Sequence, residues 1–326
     1  MGSNDVRAPL AAVPRFFDLR TATADPADEL RRSLAADAPF IAPKHFYDAL
    51  GSRLFEAICE LPEYPLTRVE RAIFDRHGDA IAARTGIDRP LLDLGAGNCA
   101  KAERLFGVLL PSQYVAIDIA GEFMHGCLAG LALRHPGLPI VGLAQDFSAA
   151  LVVPDEVEPG PRTVFYPGSS LGNFAPDVAL AFLERTRAAC SPGGCLIVGA
   201  DLVREKRALD LAYDDPLGVT AAFNLNVLRN VNACIGADFD VADWRHVAFF
   251  DPATSRIEMH VEARCDVTVR WNGGGRRFRA TDRIHTENSY KYTPETLRAM
   301  LERAGFADPT LWTDEAATFA VAAATA

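Results

Sequence analysis

The sequence lacks the features that mark membrane, secreted and nucleic-acid-binding proteins. No stretch reaches the roughly 18 uncharged apolar residues that a membrane span needs. Met1-Gly2-Ser3-Asn4-Asp5 carries no basic segment followed by an apolar one, so no secretory signal is predicted. A formal net charge of -10 works against binding to a polyanion, which clustered Lys and Arg would drive. We therefore expect a cytoplasmic protein without a nucleic-acid or membrane partner.

The cysteines form no recognisable pair or cluster. There are 7 of them, an odd number, and they include no CxxC motif and no Cys/His spacing typical of zinc. Cys190 and Cys195 come closest together, but they flank Pro192-Gly193-Gly194 and are interpreted as small apolar residues around a turn. The sequence therefore predicts neither a disulfide framework nor a bound metal.

What the sequence does contain, from residue 88 onward, is a series of short apolar runs that alternate with amphipathic stretches. The chain of 326 residues is long enough for one large or two modest domains. Runs of this length, about one βα unit apart, are typical of buried parallel strands with crossover helices. The sequence therefore predicts an α/β fold with a doubly wound sheet, whose strands are expected at 89–94, 114–118, 139–143, 163–166 and 195–200.

The pattern differs on either side of these runs. Residues 28–85 carry apolar residues at helical spacing and are expected to cap the sheet. After residue 204, a helical run at 219–234 precedes alternating segments at 256–270, and Asn272-Gly273-Gly274-Gly275 predicts a hairpin. Thr293-Pro294-Glu295-Thr296 predicts a capped helix, before a last apolar run. We expect one domain from 1–204 plus 291–326, and an inserted α+β domain from 205–290.

A glycine-rich turn follows the first predicted strand. Asp93-Leu94-Gly95-Ala96-Gly97-Asn98 would let the backbone approach a ligand beside a helix N-terminus. Asp118 ends the second strand and can accept both hydroxyls of a ribose, while Asp146-Phe147 after the third suits an adenine amine and ring face. Together these residues are typical of an S-adenosylmethionine-dependent methyltransferase. The glycines alone leave open a plain tight turn, or a dinucleotide site with Ala100 in the third position of the fingerprint.

Five separated blocks of the sequence form a signature. The first block is N-terminal and consists of four short segments, Lys44-His45-Phe46-Tyr47-Asp48, Gly51-Ser52-Arg53-Leu54-Phe55, Leu61-Pro62-Glu63-Tyr64 and Thr67-Arg68. The other four blocks are Gly168-Ser169-Ser170-Leu171-Gly172-Asn173, Ala212-Tyr213-Asp214-Asp215-Pro216, Ile257-Glu258-Met259 and Thr286-Glu287-Asn288-Ser289. The signature resembles that of the histidine-specific methyltransferases that make hercynine for ergothioneine. The resemblance extends over nearly the whole chain. It implies a class I methyltransferase fold, S-adenosylmethionine as cofactor, and an inserted domain that binds free L-histidine.

The resemblance also implies a role for individual residues. Those that would hold S-adenosylmethionine are Tyr47, Gly95, Lys101, Asp118, Asp146 and Phe147. Those that would hold the substrate are Asn173 and Tyr213 at its carboxylate, Tyr64, Glu287 and Ser289 at its imidazole, Met259 in the pocket wall, and Phe55 near the amine. The catalytic residues would be Tyr47, Gly168 and Ser170, with Tyr47 able to relay a proton through water. Two positions depart from the family pattern: Pro65-Leu66 stands where Tyr-Pro is common, and Ser170 replaces a threonine.

The proposed imidazole ligands also suit histidine on chemical grounds. Glu287 and Ser289 are two residues apart in a predicted strand, so their side chains project from one face while Asn288 points away. A carboxylate and a hydroxyl can together meet both ring nitrogens of an imidazole. From the pair alone, a solvated strand face is an equal alternative. Asn173 likewise has an alternative, as the N-cap of a helix.

Three other functions compete with histidine methylation. An oxidoreductase with a nucleotide cofactor would leave Tyr64, Tyr213 and Glu287 without a purpose. A methyltransferase of the same family acting on another aromatic amino acid, such as tryptophan, would give Glu287 one N–H at most. A non-catalytic binder of S-adenosylmethionine is the third alternative. We expect a monomeric enzyme whose substrate is a small molecule, a free amino acid.

Overall fold

Thirteen β-strands occur in the part of the chain that the computed structural model describes, residues 13–20, 26–148 and 150–326. They are β1 (Arg15–Asp18), β2 (Leu91–Leu94), β3 (Tyr114–Asp118), β4 (Ile140–Ala144), β5 (Thr163–Tyr166), β6 (Cys195–Asp201), β7 (Trp244–Asp251), β8 (Arg256–Ala263), β9 (Val267–Trp271), β10 (Gly274–Phe278), β11 (Arg283–Tyr290), β12 (Ala307–Thr313) and β13 (Phe319–Thr325). The five predicted strands of the α/β region correspond to β2–β6, and the last apolar run to β13.

Ten α-helices connect the strands in the same residues. They are α1 (Pro26–Ala35), α2 (Ala49–Glu60), α3 (Leu66–Thr85), α4 (Ala100–Glu103), α5 (Phe106–Leu109), α6 (Gly121–Arg134), α7 (Pro176–Cys190), α8 (Lys206–Tyr213), α9 (Val219–Ile235) and α10 (Pro294–Arg303). The helical prediction for 28–85 is confirmed by α1–α3. The predicted cap of α10 is also confirmed, because the Thr293 hydroxyl accepts from the Thr296 amide at 3.2 Å.

The central sheet has eight strands in the order β1-β4-β3-β2-β5-β6-β13-β12. The first six run parallel to one another, and β13 runs antiparallel to both of its neighbours. The chain passes from β2 through β3 to β4 on one side, and from β5 to β6 on the other. The predicted doubly wound α/β sheet is therefore confirmed. Its switch point lies between β2 and β5, where ligands bind in folds of this type.

Two apolar cores cover the two faces of this sheet. Successive strand residues point to opposite faces, so Leu91 contributes to one core and Leu92 to the other. The first core includes α3 and α6, and the second includes α7 and α10. Strands β2 to β6 are almost entirely buried, which explains why they appear in the sequence as continuous apolar runs.

Residues 206–290 form a second layer of structure, whose buried apolar side chains belong to the first core. Strands β11, β8 and β7 make an antiparallel sheet, against which α8 and α9 pack. Strands β9 and β10 form a hairpin around Asn272-Gly273, where Gly273 has a φ of +90°, so the predicted hairpin is confirmed. The predicted domain limits at residues 204 and 291 stay a prediction.

Two further features concern the described residues only. None of their helices has the length and apolar character to cross a membrane. No group of three or more His, Cys, Asp or Glu side chains among them is arranged to hold a metal ion.

Candidate active site

The turn after β2 lies at the switch point of the sheet. Gly95 and Gly97 both adopt positive φ angles, +73° and +52°, which favour glycine. Asp118, at the end of β3, holds this turn: one carboxylate oxygen accepts from the Gly97 amide and the other from the Ala120 amide, each at 2.8 Å. Each oxygen keeps a second lone pair, so the carboxylate is fixed in orientation and still able to accept from ribose hydroxyls.

Phe147 and Asp146 follow β4 on the same edge of the sheet. A Cβ atom added to Gly95 would lie 3.8 Å from the Phe147 ring, so a side chain there would fill the space beside that ring. The Asp146 carboxylate accepts hydrogen bonds from the Ser148 amide and hydroxyl and lies 3.9 Å from Lys44 Nζ. A ring face, a carboxylate and an open glycine turn are together able to hold an adenosine moiety.

Asp93 is not part of this open cleft. Its carboxylate is only 2% exposed and accepts a 2.7 Å hydrogen bond from the Tyr114 hydroxyl in the core. Burial raises the pKa of Asp93 to about 7, the largest of the effects on this group. Asp93 therefore supports the turn from below through its hydrogen bond to β3.

A cavity adjoins the cofactor cleft on the side of α2, α8 and β11. Its empty volume is about 560 Å³ when the open mouth is included. It brings together all ten residues that the sequence assigns to the substrate or to catalysis: Tyr47, Phe55, Tyr64, Gly168, Ser170, Asn173, Tyr213, Met259, Glu287 and Ser289. The sequence assigned no role to the other lining residues, which are Ile58, Leu66, Ser169, Ala212, Thr220 and Phe223.

Aromatic rings form one wall of the cavity. Phe55 lies 5.8 Å from Tyr47 and 6.5 Å from Tyr64 between ring centroids, in edge-to-face arrangements. Phe223 of α9 lies 6.0 Å from Phe55 and completes the wall. Tyr64 in turn contacts the ring of Tyr213, at 6.1 Å. Such a wall is apolar and can also attract a cation over a ring face.

A β-bulge in β11 directs Glu287 into the cavity. His285 pairs with His260 of β8, but the next pair joins Glu287 with Met259, so Thr286 is an extra residue. Ile284, Glu287 and Ser289 consequently share one face of the strand. The side chain of Glu287 makes no hydrogen bond to any residue that the structure describes. Burial raises its pKa to about 7, although the positive charge of Lys291 acts in the opposite direction.

A buried network lies behind Tyr213 and Ser289, and the sequence did not indicate it. The ammonium of Lys291 donates to the Tyr213 hydroxyl at 2.9 Å and to the Ser289 hydroxyl at 2.8 Å. It also forms a 2.8 Å ion pair with Asp201, the last residue of β6. The two hydroxyls are themselves 2.9 Å apart. The one signal that could have found Lys291 is its position two residues after Ser289, which continues the Glu287-Ser289 spacing.

Glu70 of α3 connects the cofactor cleft to the cavity, and it too was missed from sequence. One of its carboxylate oxygens accepts from Lys101 Nζ at 2.8 Å, and the other accepts from the Gly168 amide at 2.6 Å. Gly168 has a φ of +79°, and a Cβ there would lie 2.8 Å from Lys101 Nζ. Lys101 therefore contacts Glu70 and the Gly168 turn.

Ser170 and Asn173 begin and end a 3₁₀ turn after β5. The Ser170 hydroxyl donates to the Pro167 carbonyl at 3.3 Å. The N-cap of α7 is Ala175, so the alternative that Asn173 caps this helix is wrong. The other departure from the family pattern is Pro65-Leu66. Pro65 precedes the first residue of α3, and the buried Leu66 side chain lines the cavity.

The fold and the cleft define a class of protein. A doubly wound sheet with a glycine turn after β2, a hydroxyl-accepting carboxylate after β3 and an aromatic pocket beside them is the arrangement of a class I S-adenosylmethionine-dependent methyltransferase. The reversed strand β13 beside β6 belongs to the same arrangement.

The chain belongs to the S-adenosylmethionine-dependent histidine-specific methyltransferase family, whose model matches residues 26–326. It is 36% identical over 302 residues to the histidine N-alpha-methyltransferase of Mycolicibacterium smegmatis, covering 91% of this chain and 93% of the relative. It is 34% identical over 298 residues to the protein of that name from Mycobacterium tuberculosis, covering 87% and 89%. The ergothioneine biosynthesis protein 1 of Neurospora crassa is 29% identical over 276 residues, which are 82% of this chain and 31% of that protein.

A solved S-adenosylmethionine-dependent methyltransferase from Clostridium acetobutylicum aligns with 85% of this chain and 96% of its own, with a TM-score of 0.46 and 13% identity. Family membership confirms that the chain is a methyltransferase with S-adenosylmethionine as its cofactor. The alternative of an oxidoreductase with a nucleotide cofactor is therefore wrong.

Proposed function

We propose that the protein transfers methyl groups from S-adenosylmethionine to the α-amino group of L-histidine and yields Nα,Nα,Nα-trimethylhistidine, or hercynine. The observation that carries this proposal is the placement of Glu287 and Ser289 side by side on the wall of the cavity. A carboxylate without a hydrogen bond in the described protein and a neighbouring hydroxyl suit the two nitrogens of an imidazole. The names of the two mycobacterial relatives support the same substrate.

The proposed carboxylate anchors are Asn173 and Tyr213. Both line the same cavity, and each offers a proton to an acceptor without carrying a charge. An uncharged anchor next to the reacting amine avoids stabilising an ammonium there. Glu287 and Ser289 come from β11, and Asn173 from the turn after β5, so the two ends of the amino acid would be held by different parts of the fold.

The chemistry requires a neutral amine held in line with the methyl carbon, at a distance of about 3 Å. The cofactor supplies the electrophilic methyl group. An α-amino group has a pKa of about 8, and desolvation in the cavity lowers it, so no strong base is needed. Tyr47, Gly168 and Ser170 lie in the cavity wall and are the proposed residues around the amine. Tyr47 and Phe55 would accommodate the growing ammonium against their rings.

Incubation with S-adenosylmethionine and a panel of free amino acids tests this function. We expect histidine, and neither tryptophan nor other aromatic amino acids, to gain three methyl groups by mass spectrometry. A preference for tryptophan would overturn the proposed substrate, and binding of S-adenosylmethionine without its consumption or any methylated product would indicate a non-catalytic binder. Asp118→Ala is the matched negative control, because its change lies at the cofactor and not at the amino acid.

We propose that the enzyme acts as a monomer in the cytoplasm. What supports a monomer is that the ten residues assigned to the substrate or to catalysis already meet in one cavity of a single chain. Sedimentation velocity of the purified protein, with and without histidine, tests the monomeric state.

A further inference from the structure

We propose that Lys291 is a positioning residue that supplies the positive charge for substrate binding, through the hydroxyls of Tyr213 and Ser289. This inference rests on the proposed function and extends it. It assigns the electrostatic part of amino-acid recognition to a residue that never touches the substrate.

Among the residues that the structure describes, none places a positive side chain in the cavity wall. None of its lining residues is Lys or Arg, although the proposed substrate carries a carboxylate. Lys291 is buried directly behind the wall, with its side chain 0% exposed and its ammonium 2.8–2.9 Å from the two hydroxyls. At this separation, one hydroxyl stands between the ammonium and the cavity. The charge therefore acts across a short, buried path, where electrostatic interactions are stronger than in water.

The charge of Lys291 is not fully cancelled by Asp201. Asp201 also pairs with the guanidinium of Arg204, so one carboxylate serves two cations. The cluster of these three residues carries a formal charge of +1. Lys291 moreover faces the Tyr213 ring at 4.7 Å, and its pKa is raised by the charge of Asp201 despite its burial. The ammonium form therefore persists at neutral pH.

Lys291 also sets the direction of the two hydroxyl protons. An ammonium only donates, so the oxygen atoms of Tyr213 and Ser289 must accept from it. The proton of each hydroxyl then has to point away from Lys291. One of the two protons can be used in the 2.9 Å bond between the hydroxyls, and the other is directed to the cavity. The network thus presents a donor to the substrate, with a positive charge behind it.

The same charge acts on Glu287. The titratable groups that face Glu287 are the phenols of Tyr47, Tyr64 and Tyr213 and the ammonium of Lys291. Burial raises the pKa of all three phenols, so they stay neutral. Lys291 is the one group of this set that favours the ionised carboxylate. Removing it should leave less of Glu287 ionised at a given pH.

Two substitutions separate the charge from the hydrogen bonds. Lys291→Met removes both, whereas Lys291→Gln keeps an amide donor without a charge. Asp201 retains Arg204 in either variant, which limits the cost to folding. Lys206→Met is the matched control, since Lys206 is an exposed lysine in an ion pair with Asp210. Thermal melting first establishes that each variant is folded, and if Lys291→Met is not, Lys291→Gln alone carries the test.

Calorimetry on the S-adenosylhomocysteine complex then compares histidine with histamine, which lacks the carboxylate. We expect both Lys291 variants to lose at least about tenfold in affinity for histidine and severalfold less for histamine, which keeps the imidazole that Glu287 and Ser289 would bind but has no carboxylate. We also expect the acid limb of the kcat/KM profile for histidine to move upward by about half a pH unit or more. When Tyr213 is already replaced by Phe, the further loss of histidine affinity caused by Lys291→Met should be smaller than in the wild type.

Equal losses for histidine and histamine, or an unmoved acid limb, would overturn the inference and leave Lys291 with a structural role. If Lys291→Gln binds histidine as tightly as the wild type does, the proposed role of the positive charge is wrong. Lys291 would then act through its hydrogen bonds only. Wild-type turnover separates this inference from the proposed function. If the wild type does not methylate histidine, the proposed function fails; if it does and the variants match it, only the role of Lys291 fails.

Discussion

Replacing Glu287 with glutamine should stabilise the free protein above neutral pH. Burial raises the pKa of Glu287 from 4.5 to about 7, so the native state binds this proton more tightly than the unfolded chain does. Between these two values the native state holds more protons than the unfolded state, and stability must therefore fall as pH rises. The wild type carries this cost fully above pH 7 and escapes it below pH 4.5.

The size of the effect follows from the shift. At about 1.36 kcal/mol for each pKa unit, the ionised carboxylate lowers the unfolding free energy by up to about 3 kcal/mol. Glutamine has nearly the same size and no charge to desolvate. We expect Glu287→Gln to exceed the wild type by about 1–3 kcal/mol at pH 8, and by much less at pH 5. The same variant should lose activity toward histidine, because it removes the proposed acceptor of the imidazole N–H.

Urea unfolding without ligands, at pH 5 and at pH 8, measures this difference. Glu258→Gln is a suitable control, since Glu258 lies on neighbouring β8 and its pKa is lowered by hydrogen bonds from Arg256 and His260, which outweigh burial. Its ionised form is stabilising above its unfolded pKa, so Glu258→Gln should lose stability at pH 8. A Glu287→Gln variant that is less stable than the wild type at pH 8, or a difference that does not grow from pH 5 to pH 8, would refute the reasoning.

Three further predictions concern binding and turnover. Asp118→Ala should fold normally but bind S-adenosylhomocysteine at least about tenfold more weakly by calorimetry, because it loses hydrogen bonds worth roughly 1.5–3 kcal/mol each; unchanged affinity would place the cofactor elsewhere. Glu70→Gln cannot accept from both Lys101 and the Gly168 amide, so calorimetry and steady-state kinetics should show weaker cofactor affinity and lower kcat. If both quantities stay unchanged, Glu70 does not connect the cofactor cleft to the cavity. Histamine should have a kcat/KM at least about 100-fold below that of histidine, because it leaves the proposed carboxylate anchors unpaired; comparable rates would contradict that assignment.

The parts of the fold that follow from sequence are those with a strong repeating pattern. Strands β2–β6 are buried on both faces, and a continuous apolar run of about five residues has few other interpretations. Strands β1, β7 and β12 were not predicted. They are partly exposed, β1 has only four residues, and none of them combines alternation with a clear turn signal. Their positions depend on pairing with distant strands, which a local pattern does not contain.

The site shows the same division. Gly95, Asp118 and Glu287 occur in motifs that can be recognised one segment at a time. Glu70 accepts from Gly168, which lies 98 positions further along the chain. Lys291 pairs with Asp201, which lies 90 positions before it. Charged side chains are seldom buried, so sequence alone favours a solvated position for both residues. Only the folded chain shows that each is buried and connects two parts of the site.

The bulge at Thr286 explains why sequence could not decide between a solvated strand face and a binding face for Glu287. With strict alternation, Ile284 and Glu287 would lie on opposite faces, and burying the apolar residue would expose the carboxylate. The extra residue shifts the register so that both face the interior. The Thr286 hydroxyl donates to the buried Asn224 of α9 at 2.8 Å, which fixes the bulge to that helix. The direction of the proposed imidazole ligand is therefore determined by a contact 62 positions distant in the chain, and not by the strand that carries it.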